Sequence, residues 1–294
     1  MNTLLIAGFG DIAQRALPLL ATRFSVIALV RPERIGQVLP RPGLAIEPGD
    51  LDDPTSLLRF AGRASHVLHC APPPGTGTSD PRTANLIAML ASSALPRCLV
   101  YIGTSGVYGD CAGAWVDEAR TPNPQTDRAR RRVDAEARIT AFGRSHAVRC
   151  VILRAPGIYA LDRLPLERLR QHTPVLRAED DVYTNHIHAD DLAAIAVTAL
   201  TDCGADGIYN TCDDTELKMG DWFDLLADRA GLPRPPRIAR SQAPGRIPAA
   251  SLSFMSESRR LSNRRMKEAL GVRLRHPTVF AGLPPMFDAP RSAR

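Results

Sequence analysis

The sequence predicts an α/β fold: a doubly wound parallel sheet with a smaller lobe toward the C-terminal end. Three observations carry that reading. Short apolar strands alternate with helical segments through the first half of the 294 residues. A glycine turn joins the first strand directly to the first helix. After about Gly157 strands become few, and Pro, Arg and short helices dominate. Repeated βα units whose strands are apolar on both faces call for a parallel sheet covered by helices on both sides.

The elements follow in order. Residues 3–7 form a buried strand, with Gly8 and Gly10 immediately after it. From Ile12 the apolar positions Ile12, Ala16, Leu19 and Leu20 keep helical spacing, and Pro18 is a point where this helix is expected to kink. Residues 25–30 form the second strand, and 32–42 are proline-rich and a poor helix. "LAIEPGD" is a third strand ending at Asp50, "PTSLLRFA" a helix, and "HVLHCAPPPG" a fourth strand running into prolines. "PRTANLIAMLASSA" is a helix and "RCLVYIG" a fifth strand. A long loop, an arginine-rich helix and "RCVILRAPGIY", a sixth strand with its exit loop, follow. Farther on, 188–200 is a helix and 207–212 a strand. "GDWFDLLADRAGLP" and "LSNRRMKEALG" are helices closed by Gly231 and Gly271. The predicted organisation is a Rossmann-type domain over 1–157, with 186–212 returning to it. Residues 158–185 and 213–290 form a smaller substrate-binding lobe. The tail "DAPRSAR" is expected to be disordered.

Composition narrows the function classes. A chain with 44% hydrophobic and 23% charged residues is ordinary globular protein. The net charge of +6, from 37 basic and 31 acidic residues, favours anionic ligands mildly and does not by itself argue for nucleic acid. The six cysteines, at 70, 98, 111, 150, 203 and 212, form no Cys-x-x-Cys and read as reduced and buried. No window approaches the ~18 apolar residues of a membrane span, and "MNTLLIAGFG" lacks the basic start of a secretory signal. A cytoplasmic protein with no membrane partner, monomer or homodimer, is expected.

The first motif with chemistry is Gly8-x-Gly10-x-x-Ala13. Gly8 makes the tight turn. Gly10 has no side chain to hold a pyrophosphate away, and the helix start offers free N–H groups to phosphates. Phe9, Asp11 and Ile12 complete the turn. Directly after an N-terminal strand, and before a helix and a second strand, this pattern marks a dinucleotide site. The second strand's end selects the dinucleotide. An acidic residue there binds the ribose 2′-hydroxyl of NAD. This chain has "VRPER", with Arg31 at that position and Arg34 nearby, which suits the 2′-phosphate of NADP. Glu33 is the competing signal for NAD, the second choice.

The glycine turn, "GDLDDPTSL", "CAPP", "YIGTSGVYGD", "PGIY" and "HIHADDLA" stand in an order that resembles the extended short-chain dehydrogenase/reductase family. The resemblance is to its atypical NAD(P)-dependent epimerase/dehydratase-like branch. It covers nearly the whole chain, "NTCDD" and "RRLSNRRMKEALG" included. It implies an NAD(P)-dependent oxidoreductase, epimerase or dehydratase acting on a sugar, nucleotide sugar or other small carbonyl or alcohol. It also implies residue roles. Asp50 and Leu51 would flank the adenine, and Ala71, Pro72 and Pro73 would line the cofactor. Pro156 and Ile158 would approach the nicotinamide. Thr104 falls where the family's catalytic Ser or Thr sits, four residues before Tyr108.

The family's catalytic helix reads Pro, then Tyr-x-x-x-Lys, then Glu four residues later. Pro124 and Glu136 fit without a gap, which puts Arg128 at the Tyr position and Arg132 at the Lys position. Residues 128, 132 and 136 share one helix face, while Arg130 and Arg131 are expected on a solvated face. No aromatic residue interleaves these arginines, so a nucleic-acid grip is disfavoured. Arginine keeps its proton at neutral pH. Arg128 therefore suits stabilisation of an oxyanion, Arg132 the nicotinamide ribose or a phosphate, and Thr104 the substrate oxygen. A proton would come from water or from Tyr108 or Tyr159, both of which also fit simple packing roles. Asp190 and Asp191 read first as a helix cap, and His186 and His188 as structural. The sequence displays no metal cluster. The alternative reading is a catalytically inactive NADP-binding regulatory or scaffold protein.

Overall fold

A computed structural model describes residues 2–201, 204 and 206–286. Seven strands make the central sheet: β1 (Asn2–Ala7), β2 (Phe24–Val30), β3 (Leu44–Pro48), β4 (His66–His69), β5 (Cys98–Ile102), β6 (Arg149–Arg154) and β7 (Gly207–Asn210). Their order is β7-β6-β5-β4-β1-β2-β3, and every pairing is parallel. The chain leaves β1 toward β2 and β3, then crosses back to place β4 on the other side of β1. That reversal opens a crevice outside the carboxyl ends of β1 and β4, where ligands of such sheets bind.

Alternation along each strand builds two core layers. Leu4 and Ile6 of β1 point to the layer with Ala13, Leu17, Val100, Leu153 and Ala196. There α1 (Asp11–Leu20) packs on α4 (Ala189–Thr201). Leu5 and Ala7 point to the layer with Val67, Leu86, Leu99, Ala135 and Ile152. That layer is covered by α2 (Pro81–Ala91) and α3 (Asp127–His146). A third cluster lies in the C-terminal part around Tyr159, Trp222, Phe223, Leu226, Met255 and Val279, and includes α5 (Met219–Arg229).

Several elements differ from expectation, each for a local reason. The helix expected over 54–61 breaks into one α turn, Pro54–Leu57, and a 3₁₀ turn, Leu58–Phe60, so that Phe60 is buried while Leu58 stays exposed. Residues Pro32–Gln37 form a 3₁₀ helix. The helix α1 runs through Pro18 to Leu20. "PGIY" is more than an exit loop: Gly157–Tyr159 pairs in parallel with His186–His188. In "LSNRRMKEALG" the helix covers only Arg264–Ala269, because Arg260–Leu261 is taken up as a strand beside Trp115–Val116. Cys70, Cys111, Cys150 and Cys212 are free thiols. Cys203 and the tail expected to be disordered lie outside the described residues. Among the described residues no helix is long and apolar enough to cross a membrane.

One correction concerns the arginine helix. Arg131, expected in solvent, is buried and donates from Nη1 to the carbonyl of Gly77 at 2.6 Å. At about 100° per residue Arg131 lies only ~60° around the helix from Arg128. It faces the loop that enters α2. Arg130, about 160° from Arg128, is exposed and pairs with Asp127 at 2.7 Å.

Candidate active site

The cleft at the crevice has a volume of about 430 Å³. Its back wall is the turn after β1. Gly8 adopts φ +91°, and a Cβ there would stand 2.5 Å from the amide nitrogen of Ala71. The close approach is fixed by Cys70 and Ala71, whose amides both donate to the carbonyl of Ala7, at 2.8 and 2.9 Å. Gly8 is therefore demanded by the fold itself. Gly10 is different. It caps α1 in an extended conformation with φ −88°, and a Cβ there would meet no protein atom within 4 Å. The space beside Gly10 belongs to the cleft, and the first amides of α1 face it without a side-chain cap.

Gly8, Phe9, Gly10, Asp11, Arg31, Asp50, Leu51, Ala71 and Pro72 line the cleft. Ile12 does not, being buried beneath the turn in the core. Pro73 lies just beyond the lining, its carbonyl accepting from Arg82 at 3.4 Å. Pro156 and Ile158 stand past the end of β6, Ile158 in the short strand beside His186–His188, and neither lines this cleft. Gln14, Leu29, Val30, Arg34, Gln37, Val38, Cys70 and Arg82 complete the wall. Arg82 is the informative one among those that sequence reasoning missed. It sits in the first turn of α2, at the carboxyl edge of the sheet. A helix start that follows β4 was its only signal.

Arginine dominates the end of the cleft beyond β2. Arg31 is half-exposed, and its Nε lies 3.3 Å from Glu33, which does not line the cleft. Arg34 donates to Gln37 at 3.3 Å. Arg82 grips Asp52 through two bonds of 2.8 and 2.6 Å and donates to the carbonyl of Pro72 at 3.0 Å. That grip holds the Asp52 carboxyl below the usual carboxylate range. Opposite, Arg15 ties the turn to its surroundings by pairing with Asp11 at 2.9 Å, with Asp190 at 2.8 Å and with Asp162.

Thr104 follows β5, and its hydroxyl accepts from the amide of Gly106 at 3.2 Å. Arg132 reaches the same strand end. Its Nη1 donates to the hydroxyl of Tyr101 at 2.8 Å and to the carbonyl of Ile102 at 3.2 Å. Burial, with Arg132 close by, pushes the His69 imidazole down to about 3, and burial pushes the Cys70 thiol up to about 12. Neither offers a base or a nucleophile at neutral pH. Arg128 turns to the C-terminal part instead, its guanidinium 3.9 Å from the centre of the Phe254 ring. One helix turn beyond Arg132, Glu136 is buried against Arg154 at 2.7 Å.

The two tyrosines considered as proton donors are occupied. Tyr108 is buried, donates to the side-chain oxygen of Asn210 at 2.8 Å, and lies under the Arg154 guanidinium. Tyr159 donates to the carbonyl of Thr278 at 3.3 Å and packs edge-on against His188 and Trp222. Burial raises both phenols above the ordinary range. The fold also gathers a group that the sequence could not display, because His276 is remote in the chain. Ligating atoms of His188, Asp190 and His276 lie within 4.8 Å of one another. Their present bonds are structural: Nδ1 of His188 accepts the Asp190 amide at 3.2 Å, and the two rings stack at 3.9 Å. Asp191 fixes the His276 segment by accepting the amides of Arg275 and His276, each at 2.8 Å.

Residues 13–212 match the family model described as the NAD dependent epimerase/dehydratase family. Among curated proteins, the chain is similar to the GDP-6-deoxy-D-mannose reductase of Pseudomonas aeruginosa, with 26% identity over 163 residues. That match covers 50% of this chain and 54% of the reductase, so it spans about half the length of that relative. A conserved protein of unknown function from Silicibacter pomeroyi has a similar structure, with a TM-score of 0.78, 29% identity and 96% of each chain covered. The UDP-glucuronic acid 4-epimerase of Bacillus cereus, solved in complex with NAD, shares the fold at a TM-score of 0.74, 17% identity and 95% of each chain.

Proposed function

Because this chain belongs to the NAD dependent epimerase/dehydratase family, we propose that it binds NADP in the cleft and acts as an oxidoreductase or epimerase on a nucleotide sugar. The cofactor assignment rests on one observation: Arg31, Arg34 and Arg82 line the cleft beyond β2, while Glu33 is turned aside onto Arg31. The substrate class rests on the relatives, a reductase of a GDP-sugar and an epimerase of a UDP-sugar.

The cleft fits the dinucleotide at the turn. The open space at Gly10 admits a pyrophosphate, and the α1 amides bind it. Asp50 and Leu51 flank the adenine side, and Ala71 and Pro72 the middle. When bound, the nicotinamide supplies or accepts a hydride. The chain's own part is electrostatic. Arg132, anchored on Tyr101 and the Ile102 carbonyl, holds a fixed positive charge at the end of β5, which Thr104 follows. Thr104 orients the substrate oxygen, and the charge stabilises negative charge as it develops there. The proton comes from water, since Tyr108 and Tyr159 are engaged elsewhere.

A second reading is favoured by the turning of Arg128 onto Phe254. In it the fold keeps the nucleotide and serves as a regulatory or scaffold protein without turnover. Steady-state NADPH oxidation with a panel of GDP- and UDP-4-keto sugars, together with chromatographic detection of epimerised GDP- and UDP-sugars, since epimerisation consumes no NADPH, separates the two. The catalytic reading expects turnover that falls by about 100-fold in Arg132→Gln, the scale of losing one oxyanion-stabilising donor. NADP binding without turnover of any panel member assigns the second reading.

The cofactor choice has its own check. Arg31→Ala is expected to weaken NADPH binding by about tenfold and leave NADH nearly unchanged. That is the low end of a charge-assisted contact (~1.5 kcal/mol), because the side chain is half-exposed. Calorimetry that finds equal affinity of the unmodified protein for both cofactors removes the NADP assignment.

A further inference from the structure

The two walls on the adenine side of the cleft come from segments that are not neighbours in the sheet. Asp50 and Leu51 follow β3, while Ala71 and Pro72 follow β4. Between β3 and β4 stand β2 and β1, so the two strand ends lie three spacings apart, about 14 Å. β3 and β4 do not pair with each other, and the ladder leaves the distance between these walls to side chains. Arg82, in the first turn of α2, joins them. Its Nε and Nη2 hold the two oxygens of Asp52 at 2.8 and 2.6 Å. Its Nη1 donates to the carbonyls of Pro72 and Pro73 at 3.0 and 3.4 Å. One turn farther along α2, Asn85 Nδ2 donates to the carbonyl of Leu51 at 2.8 Å. The start of α2 is itself fixed: Asp80 caps it by accepting the Thr83 amide at 3.2 Å, and the Asp80 amide donates to Asp134 at 2.7 Å. The loop of Asp52 is braced from within, the Asp52 amide donating to Asp50 and the Asp50 amide to Ser56 Oγ, both at 2.9 Å.

We propose that the Asp52–Arg82 pair is a clasp that sets the spacing of the two adenine walls, and that Asp52 is a positioning residue for the dinucleotide. This rests on the reading that a dinucleotide occupies the cleft. Asp52 does not line the cleft, and as a carboxylate it offers no favourable contact to an anionic ligand. Its exposed position would leave it in water were it not for the bidentate grip of Arg82. Most donors of the Arg82 guanidinium are engaged in the wall itself. Arg82 therefore serves the cofactor through the placement of Leu51 and Pro72, and Arg31 and Arg34 are left to meet a phosphate. Walls already spaced for a planar ring lose less freedom when the ring enters, which tightens binding without a new contact.

Calorimetric titration of the full-length protein with NADPH and with NADH tests the clasp. Asp52→Asn is expected to weaken both cofactors by about fivefold, the upper end of what one surface ion pair contributes. Arg82→Met should weaken them at least as much. The double variant should bind no more weakly than Arg82→Met alone, because the same clasp is lost only once. Asp52→Glu, which keeps the carboxylate, should restore most of the affinity. The sign at Asp52 decides between the clasp and a direct contact. If Arg82 binds a phosphate itself, removing the nearby negative charge leaves binding unchanged or tightens it. Either result in Asp52→Asn overturns the clasp, as do losses that add in the double variant. The adenine side is common to both cofactors, so the loss must appear with NADH as well as NADPH, whichever the protein prefers. An unmodified protein that binds neither cofactor overturns the nucleotide reading of the cleft, and the clasp with it.

Discussion

Gly10→Val is expected to lower dinucleotide affinity by more than about a hundredfold, roughly 2.7 kcal/mol, while the protein remains folded. The two glycines of the turn separate fold from function. At Gly10 the backbone is extended, φ −88°, and a Cβ there meets no protein atom within 4 Å, so the apo protein is expected to accommodate valine. The cost to stability is confined to a poorer helix cap, about 1 kcal/mol. The valine methyls instead enter the space that the pyrophosphate needs against the α1 amides. Gly8→Val should behave in the opposite way. Its φ of +91° excludes a β-branched residue, and its Cβ would stand 2.5 Å from the Ala71 nitrogen, so the loss appears as unfolding. Calorimetric titration of Gly10→Val with NADPH, alongside denaturant unfolding of both variants, measures the contrast. Wild-type affinity in Gly10→Val would place the nucleotide elsewhere.

Much of this arrangement is legible in the sequence, because local chemistry sets it. The strand, turn and helix of residues 2–20 follow from an apolar run, two glycines and helical spacing, with a boundary shift of one residue at the helix start. The parallel order follows from repeated βα units. What was not legible depends on contacts between distant residues. Arg82 reaches the cleft only because α2 starts at the sheet's carboxyl edge and Asp52 pulls its guanidinium over. Tyr101, as the anchor for Arg132, looks like one more apolar strand residue until β5 and α3 are packed together. A run of four arginines within 128–132 says little about which is buried. The angular position of each on the helix decides it, and Arg131 was misplaced for want of that step. The Gly157–Tyr159 strand depends on His186–His188, more than twenty residues away, and no local signal announces it.

Glu136→Ala is expected to cost about 3–5 kcal/mol of stability, through Arg154 more than through Glu136 itself. The two side chains are 7% and 2% exposed, and the pair is held by bonds of 3.1 and 2.7 Å. Arg154 Nη1 has no hydrogen-bond partner of its own, and its guanidinium leans on the Tyr108 ring, 4.7 Å from the centre. Removing the carboxylate therefore leaves a buried guanidinium without a counter-charge. The pair is not a large net stabiliser: burial raises the Glu136 carboxyl above its ordinary range in spite of Arg154. The double variant Glu136→Leu with Arg154→Met, which removes both charges and keeps volume, should accordingly recover most of the loss. The pair also joins α3 to β6, one helix turn from Arg132. The single variant should then loosen the Arg132 contact with Tyr101 as well as the fold, and weaken whatever that arginine does at the end of β5. Denaturant unfolding of Glu136→Leu, Arg154→Met and the double variant closes the cycle, with Glu136→Ala measured beside them. A Glu136→Ala loss below about 1 kcal/mol would mean that Arg154 reaches solvent when unpaired, and that the helix carrying the arginines is held by its apolar face alone.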